Sequence, residues 1–480
     1  MTAYHHESWA DEADAWLAAR DMTPGELWQW TGYAGHPSLW YLLIMPLAKL
    51  GLPYGSIKVL NWVFAVLAVS IIAQRGPWPR WFRVLIIFSY VFLYQYAVIA
   101  RCYALFCLLL FSAASLYGDR WRKPVLLGTV LLLLANVTAH AFFLCGIVLL
   151  VWGLEAWRCG RLRGRVGAGL GLAAAGLILS FLQLKPPPEK ASLFPYANWH
   201  SLSHLSTNVL FPKLPWRPEM FRHWLYSNPI AADFVVGIMV TISLAALVML
   251  AASLLRKPGV LVFFIAAMGS LVYIFFFRYY GGDHHAALVL ALCLFTLWIA
   301  RGNEEQRWLP PRLDRISERC SRPAEKAAML LIATGLIASV WTAGYYSLRD
   351  IQEAYSGSEE VAQFLRERPA GIMIAADHAP AAESISAYLG EPIWQLRAAA
   401  YQTYLPWNLS DQTLQDRIEL NDQELFDAVQ KQLHAAKEVW LITNRPLSEP
   451  RDFQLLFRNE RIPFSDADEQ YFVYRWLRWR

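Results

Sequence analysis

The residues of this chain best suited to polar chemistry are Asp11 and Glu12 near the amino end, Arg101, and the pair His284–His285 behind Asp283. A carboxylate can take a proton from an attacking hydroxyl group. An arginine presents its N–H donors as a rigid fork that matches a phosphate. Arg101 stands in IARCY between two apolar segments, where a charge is costly and marks a functional position by default. The other reading is a side chain that snorkels to the lipid headgroups. Arg278 lies at the end of another apolar segment, followed by Tyr279 and then Asp283-His284-His285. Asp11, His36, Asp283, His284 and His285 have the donor types of a divalent-metal site. Their spacing is non-local, so structural or solvated histidines are the competing reading. His200 and His204 are four apart, as on one helix face, within a Pro-rich stretch that reads as plain surface.

Such residues need elements to hold them, and the composition puts those elements in lipid. Hydrophobic residues make up 56% of the 480 residues and charged residues 17%, against roughly 25% charged in soluble domains. Apolar runs predict ten spanning segments, near 57–74, 82–98, 103–117, 125–138, 141–157, 166–183, 229–255, 258–277, 284–300 and 326–346. Several are shorter than the roughly 20 residues a bilayer asks for. Alternate loops are basic: Arg75, Arg80 and Arg83; Arg120, Arg122 and Lys123; Arg158 to Arg165; Arg256 and Lys257; and the Arg-rich stretch 301–326. The positive-inside rule places these in the cytoplasm. The net charge of +5 is therefore a topology signal and does not point to nucleic acid. All 11 histidines fall on the opposite side. That asymmetry suits an outward-facing site, and equally suits cytoplasmic loops too short to hold histidine. No CxxC pair or zinc spacing appears among the 6 cysteines, and none lies in the polar tail, so no outer disulfide is expected.

The outer side then holds residues 1–56, a loop near 184–228 and the tail 347–480, around a membrane part at 57–346. Ser8 with Asp11 is a capping-box pattern. A helix from there would put Trp9, Ala13, Trp16 and Leu17 on a face suited to the membrane interface, and would leave Asp11 as a capping acid. Thr23, Pro24 and Glu26 are a second helix start. Gly35-His36-Pro37 is a turn before a third helix, SLWYLLIMPLAKLG, lying along the interface. The tail alternates helix and strand: SEEVAQFLRER, GIMIAAD, LFDAVQKQLHAA, EVWLITN, QYFVYRW. This predicts a small α/β domain. The first span would run from outside to inside with nothing before it, so either the short amino end is translocated on its own or, as the favoured expectation, an upstream helix is missing.

Several short stretches resemble the GT-C superfamily of membrane glycosyltransferases, in the bacterial branch of lipid A aminoarabinose transferase and protein O-mannosyltransferase-like enzymes. They are ADEADAWLAARD at 10–21, GHPSLWYLL at 35–43, YQYAVIARCYAL at 94–105, ANVTAH at 135–140 and FRYYGGDHH at 277–285. The chain departs from the lipid A enzymes at His36, where they carry lysine, and at Asp283-His284-His285, where their motif differs. The resemblance implies a polytopic helical fold with interfacial helices in the first outer loop and an outer carboxy-terminal domain. It implies sugar transfer from a polyprenyl-phosphate donor to a glycan, lipid or protein on the outer face of a bacterial cytoplasmic membrane. On that reading Asp11 is the base with Glu12 in reserve, and Arg101, Arg278 and His36 hold the phosphate. Tyr103, His284 and His285 would line the substrate, and a divalent metal is possible. Two alternatives stay open: a transporter or lipid flippase, and a non-catalytic membrane subunit. The absence of an internal repeat and the nearly charge-free span interiors weigh against transport.

Overall fold

The chain's long apolar runs can satisfy their backbone groups in lipid only by coiling on themselves, and the computed structural model shows them as helices. It describes residues 1–187, 210–211, 229–277, 282–306, 308–377, 379–405, 420–448, 452–464 and 469–477. The amino-terminal loop forms α1 (Thr2–His5), α2 (Ala10–Asp21), α3 (Pro24–Ala34) and α4 (Leu39–Lys49). The membrane part follows as α5 (Ser56–Arg75), α6 (Arg80–Phe88), α7 (Tyr103–Tyr117), α8 (Pro124–Ala135), α9 (Ala139–Arg158), α10 (Gly164–Leu184), α11 (Pro229–Ser253), α12 (Pro258–Phe277), α13 (Asp283–Arg301) and α14 (Pro311–Gln352). Seven helices among the described residues are long and apolar enough to cross a membrane: α5, α9, α10, α11, α12, α13 and α14. Their outer faces expose Trp62, Val66, Ile178, Phe181, Val248 and Ile265, which is stable only against lipid.

Three of the ten expected spans take another form. Helices α7 and α8 are apolar but short. The segment 82–98 is broken: Ser89 is extended, with ψ 156, and a π-helical stretch, Tyr90–Gln95, follows it. Ser339 Oγ accepts the Tyr90 N–H at 2.9 Å, and the Asn61 amide donates to the carbonyls of Tyr96, Ala97 and Ile99. Irregular backbone at membrane depth needs such protein partners, and hydropathy alone does not reveal them. Helix α14 also runs well past both ends of the span expected at 326–346.

Small residues set one contact inside the membrane. A Cβ on Gly128 of α8 would lie 2.1 Å from the Gly169 carbonyl oxygen of α10, and one on Gly176 would lie 2.4 Å from Leu132 Cα. The two helix backbones touch because side chains are absent there, which is how apolar helices gain dispersion energy in lipid.

The tail forms α15 (Ser358–Arg366), β1 (Met373–Ala376), α16 (Ala379–Leu389), β2 (Ile393–Gln395), β3 (Ala400–Gln402), α17 (Asp422–Gln432), β4 (Glu438–Thr443), β5 (Phe453–Arg458) and β6 (Phe472–Leu477). The strands make one sheet in the order β3-β2-β1-β4-β6-β5. Strand β1 runs parallel to β2 and β4, and the remaining pairs are antiparallel. The expected helices and strands of the tail are present. Strands β2, β3 and β5 are additions; the first two have only three residues each and carry little pattern to read.

Candidate functional site

The site begins with how α2 starts. The cap lies one residue later than the Ser8–Asp11 reading: Trp9 is the N-cap residue, and Glu12 accepts its N–H at 3.2 Å. Ser8 instead donates its N–H to the Tyr388 hydroxyl at 2.9 Å. This shift leaves Asp11 out of the cap and turns it toward Arg101. The face carrying Ala13, Trp16 and Leu17 is buried in protein, with Trp16 against Tyr54 and Tyr54 against Tyr388. The membrane-interface expectation for that face fails because α4 and Tyr54 of the same loop, together with α16 of the tail, pack around the helix. The second start stands as read: Thr23 Oγ1 accepts the Glu26 N–H, and Glu26 accepts the Thr23 N–H. Gly35 takes the left-handed φ of +73 that lets the chain turn into α4.

Asp11 and Glu12 are adjacent but differently placed. Asp11 accepts from Arg101 Nη1 at 2.5 Å and keeps 38% of its side chain exposed. Glu12 is fully buried. One of its oxygens accepts from the Ala100 N–H at 2.7 Å, and the other is shared between Trp9 N–H and His6 Nε2 at 3.0 Å. His6 in turn meets Asp350 through Nδ1 at 2.9 Å. Burial alone would lower the His6 pKa, but Glu12 and Asp350 outweigh it and raise it to about 9. The buried imidazolium ties the amino end to the end of α14. Glu12 thus holds Ala100, and with it the backbone that carries Arg101.

Arg101 is the centre of the cluster. Its Nη1 also lies 2.9 Å from His284 Nε2. A guanidinium can only donate, so this nitrogen accepts, and the neutral His284 ring carries its proton on Nδ1. The His284 carbonyl accepts from the Tyr96 hydroxyl at 2.8 Å. His285 Nδ1 accepts from the Gly282 N–H at 3.0 Å, so its Nε2 holds the proton and faces the Tyr103 hydroxyl at 2.9 Å. Tyr103 stacks on Tyr96 with centroids 5.2 Å apart, and the Arg101 guanidinium lies 5.5 Å from the Tyr103 ring. Helices α7, α9 and α13 all begin here, and their amino ends add partial positive charge.

Asp11, Arg101, Tyr103, His284 and His285 therefore converge. His36 is half-buried in the turn before α4, and burial, with Arg101 and His140 nearby, pushes its pKa down to about 3. Its Nδ1 is buried without a partner among the described residues. Arg278, His200 and His204 lie outside the described residues, as does the side chain of Asp283. Among the described residues no three His, Cys, Asp or Glu side chains are grouped as a metal ion requires. Between Asp11 and His284 the cation is Arg101 itself.

Residue types alone did not single out several members. His140 packs against His285 with ring centroids 5.2 Å apart, and neither of its ring nitrogens has a partner among the described residues. It ends the ANVTAH stretch, which was the one signal for it. Two acids come from the tail. Glu469 accepts the Ala10 N–H at 2.7 Å, and burial pushes its pKa up to about 7. Glu383 of α16 accepts the Leu405 N–H at 2.5 Å, while Trp30 Nε1 donates to the Leu405 carbonyl at 2.9 Å. Burial, then the nearby Asp14, holds the Glu383 carboxyl well above the usual range. The carboxy-terminal domain is thus packed directly on the acidic helix.

No protein-family model matches the sequence, and no curated protein matches it. Among solved structures, the chain is similar to apo ArnT from Cupriavidus metallidurans, with a TM-score of 0.52, 11% identity, and coverage of 98% of this chain and 94% of that one. It is also similar to the same organism's ArnT bound to undecaprenyl phosphate, with a TM-score of 0.49, 10% identity, and coverage of 97% and 96%. Identity this low speaks to fold and to nothing finer: this polytopic membrane chain, with its small carboxy-terminal sheet domain, has the fold of ArnT.

Proposed function

We propose that this chain is a membrane glycosyltransferase. It moves a sugar from a polyprenyl-phosphate-linked donor to an acceptor hydroxyl on a glycan, lipid or protein. The reaction takes place at the membrane face opposite the basic loops, which is the periplasmic face of a bacterial cytoplasmic membrane by the positive-inside rule.

The observation that carries this reading is the chain Asp11–Arg101–His284 at the meeting point of three helix amino ends. The acceptor oxygen attacks the anomeric carbon and the bond from that carbon to the phosphate oxygen breaks. The acceptor proton passes to Asp11, and the polyprenyl phosphate leaves with the negative charge. In the resting arrangement Arg101 holds Asp11. A donor phosphate competes for the same guanidinium, and as Arg101 turns to it Asp11 is released as base. His36, with His140 nearby, and Arg278 are assigned to the phosphate. Tyr103, His284 and His285 border the sugar. Arg101 supplies positive charge at this centre.

The test is retention of polyprenyl phosphate by the purified chain, read by mass spectrometry, beside Arg101→Ala of unchanged thermal midpoint. Wild type retains the lipid, and the variant loses at least about tenfold in affinity, the worth of charge-assisted hydrogen bonds. Equal retention by both, or none by wild type, contradicts the reading.

A further inference from the structure

The opposite end of the molecule carries a second ordered charge pattern. In the first four turns of α14, Arg312, Arg315, Arg319, Arg322 and Lys326 repeat at intervals of three, four, three and four. At 3.6 residues per turn they fall within an arc of about 80°. All five are exposed. None forms an ion pair or a side-chain hydrogen bond among the described residues. The acids of the same stretch lie elsewhere on the helix. Glu318 approaches Arg256 at 3.7 Å and Glu325 pairs with Arg301 at 3.2 Å. Asp314 shares their side of the helix, next to the buried Ser317 and Ser321. The helix is therefore polarised, with Glu318 and Glu325 turned to Arg256 and Arg301 and its bases turned outward.

The level of this stripe is set by the same ion pairs. Arg256 lies in the turn between α11 and α12, and Arg301 ends α13. Positions 318 to 325 thus sit level with the ends of three spans. Trp308, half exposed, donates to the Leu255 carbonyl at 2.6 Å at the same level. From position 318 the helix climbs only about 9 Å to Arg312, within one Debye length of the membrane surface. Leu313 and Ile316, 52% and 56% exposed, form an apolar strip beside the bases. Bases next to apolar residues at headgroup depth match a surface with negative headgroups above acyl chains.

We infer that the stripe Arg312–Arg315–Arg319–Arg322–Lys326 is a binding surface for anionic phospholipid in the leaflet at the basic end of the molecule. It needs no assumption about the reaction at the other end. The test reconstitutes the full chain with spin-labelled phosphatidylglycerol or phosphatidylcholine and measures the lipid immobilised by protein. Wild type immobilises phosphatidylglycerol in preference, and 1 M salt weakens the preference. Changing all five residues to Gln lowers it at least about tenfold, since each headgroup-level Lys or Arg contributes on the order of 1 kcal/mol. Changing the four arginines to Lys retains it. A photoreactive phosphatidylglycerol, used on the unaltered chain, crosslinks to residues 312–326. Equal immobilisation of the two lipids by wild type overturns the inference and leaves the stripe to a soluble anionic partner. Crosslinks confined to other segments, or a preference unchanged in the folded Gln variant, overturn it as well.

Discussion

Asp11 and Glu12 share a residue class and a helix turn, yet their surroundings assign them different tasks. Asp11 is part exposed and holds one arginine; Glu12 is sealed among Ala100, Trp9 and His6. Replacing Glu12 with Gln is expected to act on the fold. Removing one charge from a buried, hydrogen-bonded pair costs on the order of 3–5 kcal/mol, and the thermal midpoint of the purified chain should fall accordingly. Arg101→Lys keeps the charge and loses the fork. It is expected to raise the donor KM about tenfold with a smaller effect on kcat, measured in a transfer assay; a fall in kcat with KM unchanged would place Arg101 in the chemical step alone. Asp11, Arg101 and His284 were legible in the sequence because charge and imidazole are conspicuous beside apolar runs. His140 and Glu383 were not, since His285 and Asp14, which set their surroundings, lie more than 100 positions from them.

The elements that hold these side chains are shaped by satisfied backbone groups more than by propensity. The non-helical stretch before α7, which presents Arg101, is held by Glu12 at Ala100 and by one side-chain amide, that of Asn61, which donates to the carbonyls of Tyr96, Ala97 and Ile99. Asn61→Leu is expected to destabilise the chain by about 2 kcal/mol, the cost of leaving buried acceptors unmet, and to loosen Arg101 without touching it. Hydrogen exchange of residues 96–101 would show the effect as faster exchange than in wild type, and unchanged protection would contradict it. The hydrophobic runs marked most spans well, with boundaries off by a few residues. Segment 82–98 misled because an apolar run looks the same whether it coils through the bilayer or breaks at Ser89.

At the scale of the whole molecule, the tail is part of the architecture around the acidic helix. Glu469 receives the Ala10 N–H and Ser8 donates to Tyr388, so the sheet domain touches the helix that bears Asp11. The raised pKa of Glu469 gives that contact a pH dependence. Between about pH 4.5 and about pH 7 the folded chain holds a proton here that the unfolded chain releases. Stability therefore falls as pH rises through this window, by about 3 kcal/mol at most. Limited proteolysis of the tail should be faster at pH 8 than at pH 6, and Glu469→Gln should abolish the difference. The α/β alternation of the tail was legible. Its seat on α2 was not, because the contacts join residues 8 and 10 to residues 388 and 469 and no local pattern encodes such a pairing.

The most direct test of the account is Asp11→Asn in membranes, with expression matched to wild type and polyprenyl-linked sugars measured beside surface glycans. The substitution keeps the size of the side chain and removes its ability to accept a proton. The transferred sugar is expected to fall by about 10²-fold or more, with the donor lipid accumulating. Glycans and lipids identical to wild type would contradict Asp11 as the base and the transferase reading built on it.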